Sequence, residues 1–135
     1  MGKFALNLPK PKSGYKFVKT IFQQYEEVPN DWNFIRISDV GKIKGGGTPR
    51  TEKDEYWKNG QVPWFTIDEF SDLEGIFVDK SLKNITELGL KNSSATLVPA
   101  GTVLFSGSAT IGNCAINKIP VTTKQGFLNI ICNKN

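Results

Sequence analysis

The 135-residue sequence contains no histidine. That removes the commonest general base, the commonest metal ligand and every Ser-His-Asp arrangement from its chemistry. Only two cysteines occur, Cys114 and Cys132, too few and too far apart for a thiolate zinc site. Each sits in an apolar, strand-like stretch, so both read as buried free thiols in a reducing compartment, and the expected location is the cytoplasm. No apolar run approaches the roughly 20 residues of a bilayer span. The opening MGKFALNLPKPKSG is broken by Pro9 and Pro11 and lacks the apolar stretch of a secretory signal. Fixed-period repeats and low-complexity tracts are also missing.

What is present suits one core: 39% of residues are hydrophobic and 22% charged, an ordinary balance for a single globular domain. The net charge of +4 is uneven. Lys3, Lys10, Lys12, Lys16 and Lys19 precede the first acid, Glu26, whereas from Val28 onward 12 basic residues face 11 acidic ones. The excess is therefore a basic N-terminal arm, suited equally to solubility and to phosphate contact.

Three parts follow from composition and periodicity. Residues 1–14 form a flexible basic leader rich in Pro, Lys and Gly. Residues 15–27, YKFVKTIFQQYEE, place Val18, Ile21, Phe22 and Tyr25 at helical-face spacing, and Val28-Pro29 ends that expected helix. Residues 28–135 are a domain of short strands: a half-buried one in WNFIRISDV, then 62–67, 75–78, 96–98, 102–106, 113–117 and 127–132. Val98-Pro99-Ala100-Gly101 suits a type I turn. NITELGLKN suits a short helix capped by Thr86 and ended by Gly89 or Asn92. The expected class is α+β, a β-rich mixed domain with an N-terminal helix; without βαβ alternation, a doubly wound sheet is excluded.

The stretch KIKGGGTPR, Lys42–Arg50, carries the densest local signal. It is neither a G-x-x-x-x-G-K-[ST] phosphate loop nor a G-x-G-x-x-G opening a helix. Gly45, Gly46 and Gly47 serve either a turn between strands or a nest of amide groups for phosphate oxygens. The acids Asp68, Glu69, Asp72 and Glu74 read as a solvated rim rather than an acid–base pair, since partner groups are missing. Trp32, Trp64, Phe65, Phe105 and Phe127 are expected in the core, and Trp57, among charged neighbours, is left open between core and base stacking.

Several segments recur in a specific order. They are V-P-x-x-W (Val28, Pro29, Trp32), G-x-T-P (Gly46 to Pro49), Tyr56-Trp57 with N-G-x-V-P-W (Asn59 to Trp64), and Ile85 to Ser94. Pro99 to Ser106, Ile111 to Ile116 and Gln125-Gly126-Phe127 complete the set. In this order and spacing, over about residues 28–132, the chain resembles the N-terminal target recognition domain of a type I restriction–modification specificity subunit (HsdS). It departs from the family at Lys124, where asparagine is usual, and in SGSATIG, which lacks an arginine often found there. No base-reading role is therefore carried over to that loop.

The resemblance implies a non-catalytic DNA reader whose two recognition domains each read half of a split target. Long helices between them would dock the modification (methyltransferase) subunits, and the restriction subunit would join to cleave. No cofactor is expected in this chain, its partner subunits using S-adenosylmethionine, ATP and Mg. The sequence stops soon after QGFLNII, where the family domain continues, so it reads as a fragment or a truncation without the end of the domain and the spacer helix. A truncated half-subunit would serve instead as a protein-interaction module with the modification subunit or another half. A solitary nuclease is the remote third possibility.

Reading a duplex takes cations and amides on phosphates and amide, hydroxyl or guanidinium groups on base edges. The backbone grip is assigned to Lys42, Lys44, Gly45, Gly46, Gly47, Thr48, Lys53 and Lys58. Base-reading candidates are Arg50, Ser106, Ser108, Thr110, Thr123, Lys124 and Gln125; for these loop residues a hydrogen bond to their own backbone is the equal alternative.

Overall fold

In the computed structural model, which describes residues 8–108 and 110–133, the segment expected to be helical is a β-hairpin. Strands β1 (Tyr15–Lys19) and β2 (Tyr25–Pro29) pair antiparallel, from Tyr15 opposite Pro29 to Lys19 opposite Tyr25. Tyr15, Phe17 and Val18 are aromatic or β-branched, types that fit a pleated strand better than a helical turn. Gln23 has φ +62°, and hydrogen bonds from Thr20 N–H to Gln24 O (2.8 Å) and from Gln23 N–H to Thr20 O (3.1 Å) close the reversal. Helical spacing was met without a helix: Ile21 and Phe22, two of its face residues, are 75% and 77% exposed at the tip.

The expected division into leader 1–14 and helix 15–27 is corrected accordingly. Residues 1–7, with Lys3, lie outside the described residues. The later part of the leader is tied to the hairpin, because Lys12 N–H donates to Glu27 Oε1 (2.7 Å) and Lys12 Nζ lies 3.4 Å from Oε2. These contacts, the backbone bond foremost, hold the Glu27 carboxyl below its ordinary pKa. The expected strand in WNFIRISDV is absent: residues 32–36 find no strand to pair with, and α1 (Ile37–Val40) is a single helical turn. Trp32, expected in the core, is 63% exposed.

Residues up to Arg36 form one unit and those from Ile37 a second. After α1 the second unit contains β3 (Gly41–Gly45), β4 (Val62–Phe65), β5 (Phe77–Val78), β6 (Lys83–Ile85) and α2 (Glu87–Lys91). It continues with β7 (Val103–Ser106), β8 (Cys114–Asn117), β9 (Thr122–Thr123) and β10 (Phe127–Cys132). Single 3₁₀ turns span Asp54–Tyr56 and Ile67–Phe70. Five strands order as β3-β10-β7-β8-β5, antiparallel except for the parallel β5–β8 edge. Three more order as β6-β4-β9, with β4 and β9 parallel. This is the expected β-rich α+β class. The expected strand at 96–98 is reduced to a bridge between Val98 and Val121.

Strand alternation builds the core. Leu104, Ala115 and Phe127 point inward from β7, β8 and β10 and cluster with Phe65 of β4 and with Phe70, Val98 and Val121. A second cluster joins Val62 and Trp64 to Ile85 and Ala95. The same alternation corrects the cysteines: with Ala115 and Asn117 buried, Cys114 faces out, and both thiols are free and exposed. Buried Asn117 is satisfied, accepting from Thr102 N–H (2.8 Å) and donating to Pro99 O and Ile119 O (2.8 Å each). That arrangement displaces the expected type I turn at 98–101: Gly101 takes φ +80° and its N–H goes to Asn117 O rather than to Val98. The short helix matches expectation. Thr86 Oγ1 accepts from Gly89 N–H (3.0 Å), and Asn92 closes the end on Leu88 O.

Candidate functional site

The glycine stretch is neither a left-handed turn nor a nest. Gly45 ends β3, directly opposite Leu128 of β10, and none of Gly45, Gly46 and Gly47 has a positive φ. Gly46 N–H donates to Phe127 O (3.3 Å) and Gly47 N–H to Thr123 O (2.9 Å), so neither amide is left for phosphate. These glycines supply room. A methyl group on Gly46 would sit 2.0 Å from Lys124 O, and one on Gly47 2.2 Å from Ala95 N. Trp64 locks the segment from the other side, its indole N–H donating to Gly47 O (2.9 Å) at 4% exposure.

That packing forms one wall of an open groove of about 710 Å³, lined by Thr48, Thr51, Trp57 and Trp64 on one part and by Thr66, Asp68, Glu69, Lys83, Asn84 and Lys124 on the rest. Trp57 is held in this lining by two contacts. Its ring meets Trp64 edge-on at 4.9 Å between centroids, and its indole N–H donates to Arg50 O (3.1 Å). The residue left open between core and stacking is thus a half-buried wall whose ring packs on Trp64 and whose donor is engaged. A second hollow of about 250 Å³ is lined by Thr66, Ile67, Asp68, Ser108, Thr110, Lys124 and Gln125. Thr66, Asp68 and Lys124 belong to both linings, so groove and hollow share an edge.

The 3₁₀ turn that carries Asp68 is held by its neighbour. Glu69 accepts from Thr66 N–H (2.6 Å), Thr66 Oγ1 (3.1 Å) and Leu82 N–H (2.7 Å). This is the back-reaching arm of a capping box extended to a distant strand approach. Glu69 is therefore structural rather than part of a solvated rim. On the opposite side Gly126, at φ +102°, lets the chain turn sharply after Lys124 and Gln125 and leaves both exposed.

Of the base-reading candidates, the structure brings Ser108, Thr110, Lys124 and Gln125 together at the hollow. Ser106 and Thr123 are withdrawn, because both are fully buried. Ser106 Oγ is bonded to Ser108 O (3.0 Å) and Thr110 O (2.6 Å), and Thr123 Oγ1 accepts from the Asn129 amide (2.8 Å). Ser106 takes an inward position of the alternating strand β7, whereas β9 is buried on both its residues, Thr122 and Thr123 alike. Arg50 is exposed but lines neither hollow.

Among the backbone-grip candidates, Thr48 lines the groove. Lys42 and Lys44 project from β3, the edge of the larger sheet, where lysines also guard against strand addition. Lys53 is engaged by Glu55 (3.7 Å) and lies 5.4 Å from the Tyr56 ring centroid. Lys58 is exposed beyond the first 3₁₀ turn. Thr51, Thr66, Asp68, Lys83 and Asn84 were not anticipated from sequence. One signal was available: T-x-x-E at Thr66–Glu69 marks Glu69 as a cap and separates it from Asp68.

A profile of the family described as type I restriction modification DNA specificity domain matches residues 29–135, and the chain belongs to that family. Among its relatives, the type I restriction enzyme MjaIX specificity subunit of Methanocaldococcus jannaschii is 43% identical over 105 residues, covering 78% of this chain and 24% of the relative. The EcoR124I/EcoR124II specificity subunit of Escherichia coli is 30% identical over 128 residues, 92% of this chain and 30% of the relative. The EcoprrI specificity subunit, also of Escherichia coli, is 34% identical over 94 residues, 70% and 23%. The chain thus spans less than a third of the length of these relatives. No described helix is long and apolar enough to cross a membrane.

Proposed function

We propose that this chain recognises a short double-stranded DNA sequence for a type I restriction–modification system and leaves bond-making and bond-breaking to partner subunits. One observation carries the reading. In a family of DNA specificity domains, Ser108, Thr110, Lys124 and Gln125, which come from two separate loops, converge with Thr66 and Asp68 on one open hollow beside the groove. Hydroxyl, amide, ammonium and carboxylate groups at one place are the inventory that base edges demand. Exposed Lys42, Lys44, Lys58 and Lys83 would hold phosphates and set register. The modification subunit, using S-adenosylmethionine, and the restriction subunit, using ATP and Mg, would then act on the DNA so positioned, in the cytoplasm.

A second role has its own observation. On the outer face of the larger sheet, Ile43, Ile130, Val103, Ile116 and Phe77 lie directly opposite one another in an apolar row across all five strands. Such a row suits a protein-interaction module that docks a partner subunit or another half-subunit.

A titration of the full chain against random duplex at two or more salt concentrations separates the readings. Each phosphate neutralised adds about −0.9 to the slope of log K against log salt. A slope of several phosphates is expected; a flat response, or no binding, overturns the DNA reading in favour of the interaction module.

A further inference from the structure

Asp68 is the one carboxylate shared by the groove and the hollow, and the fold makes no use of it. It is exposed, and among the described residues its side chain has neither hydrogen bond nor ion pair. Glu69, next to it, accepts three hydrogen bonds, so the same 3₁₀ turn holds one carboxylate that builds the wall and one that faces solvent. Lys124 borders both cavities with Asp68, yet no ion pair closes between them. Opposite charges are therefore presented side by side to whatever enters.

A carboxylate at a DNA surface is repelled by phosphates and by every acceptor on a base edge, so it is favourable only against a donor. In the major groove the donors are the amino groups of cytosine N4 and adenine N6. Adenine places the acceptor N7 beside N6, which opposes the second carboxylate oxygen. Cytosine places a C–H there, which does not. We propose that Asp68 is a specificity-determining residue that accepts a hydrogen bond from cytosine N4. Lys124, in the same hollow, takes guanine O6 and N7, so this corner of the site selects G·C pairs. The inference rests on the DNA reading above and names the part of the target that this site reads.

The test is selection from a randomised duplex pool by the full chain and its Asp68→Asn and Asp68→Ala variants, with folding followed by circular dichroism. The unaltered chain is expected to enrich cytosine at a defined position. Asp68→Ala should lose that preference by roughly 5- to 150-fold while binding unselected duplex at least as well, because a negative charge is gone. Asp68→Asn should move the preference toward adenine, since an amide pairs with N6 and N7 together. Cytosine retained by both variants overturns the assignment, as does uniform weakening over all sequences with a lowered melting temperature. If the unaltered chain enriches nothing, the DNA reading itself fails.

Discussion

Gly45–Gly47 and Lys124–Gly126 press against each other, and both are glycine-bearing, but their glycines answer different physical needs. In the first segment φ is ordinary, and the missing side chains of Gly46 and Gly47 make space for the Lys124 carbonyl and for the Ser94–Ala95 backbone. In the second, Gly126 has φ +102°, a value that L side chains rarely adopt, and the reversal it permits leaves Lys124 and Gln125 outward. The first segment is scaffold and the second is surface. A run of three glycines between basic residues looked like the functional signal, whereas a single glycine after Lys-Gln sits at the site.

That contrast can be broken most directly at Gly47. Gly47→Ala puts a methyl group 2.2 Å from Ala95 N and 2.4 Å from the Ser94 carbonyl carbon, backbone atoms that cannot turn aside. The expected loss is about 3 kcal/mol or more, visible as a lowered urea midpoint or as failure to fold. Gly126→Ala should cost less, about 1–2 kcal/mol for the left-handed backbone, since the atom in its way is the rotatable Ser108 hydroxyl. Its larger effect should be on DNA binding, through a displaced Lys124 and Gln125. Equal destabilisation by the two alanines would erase the distinction between scaffold and surface. Lys44→Ala should be smallest, changing stability by less than about 0.5 kcal/mol and weakening all duplexes alike, with the salt slope reduced by about 0.9. A change of sequence preference in that variant would transfer base reading to the edge strand.

Much of the second unit was legible in the sequence. The strands at 62–65, 77–78, 103–106, 114–117 and 127–132 and the Thr86-capped helix fall where alternation, turn residues and capping chemistry put them. The hairpin at 15–29 was not legible, because Val18, Ile21, Phe22 and Tyr25 meet the helical spacing while the cross-strand pairing that prevails is a relation between distant residues. The site was half legible. Ser108, Thr110, Lys124 and Gln125 were nominated by residue type and neighbouring glycines, but so were Ser106 and Thr123, and only the tertiary packing separates the buried pair from the exposed four. Cys114 was misjudged for the same reason: an apolar neighbourhood does not say which side of the sheet a residue takes.

By itself the sequence determined what is local or countable: the exclusion of histidine chemistry, the period-2 strands, the Thr86 cap, and the ordered set of motifs that marks the family. Tertiary structure alone decided which glycines are spacers, which hydroxyls are buried, and that Asp68, Lys124 and Gln125 share one hollow. The reason is physical. Close approach and exposure depend on atoms from segments far apart in the chain, as where the Thr122 hydroxyl bonds Pro63 O, 59 residues away, and no local pattern carries that distance.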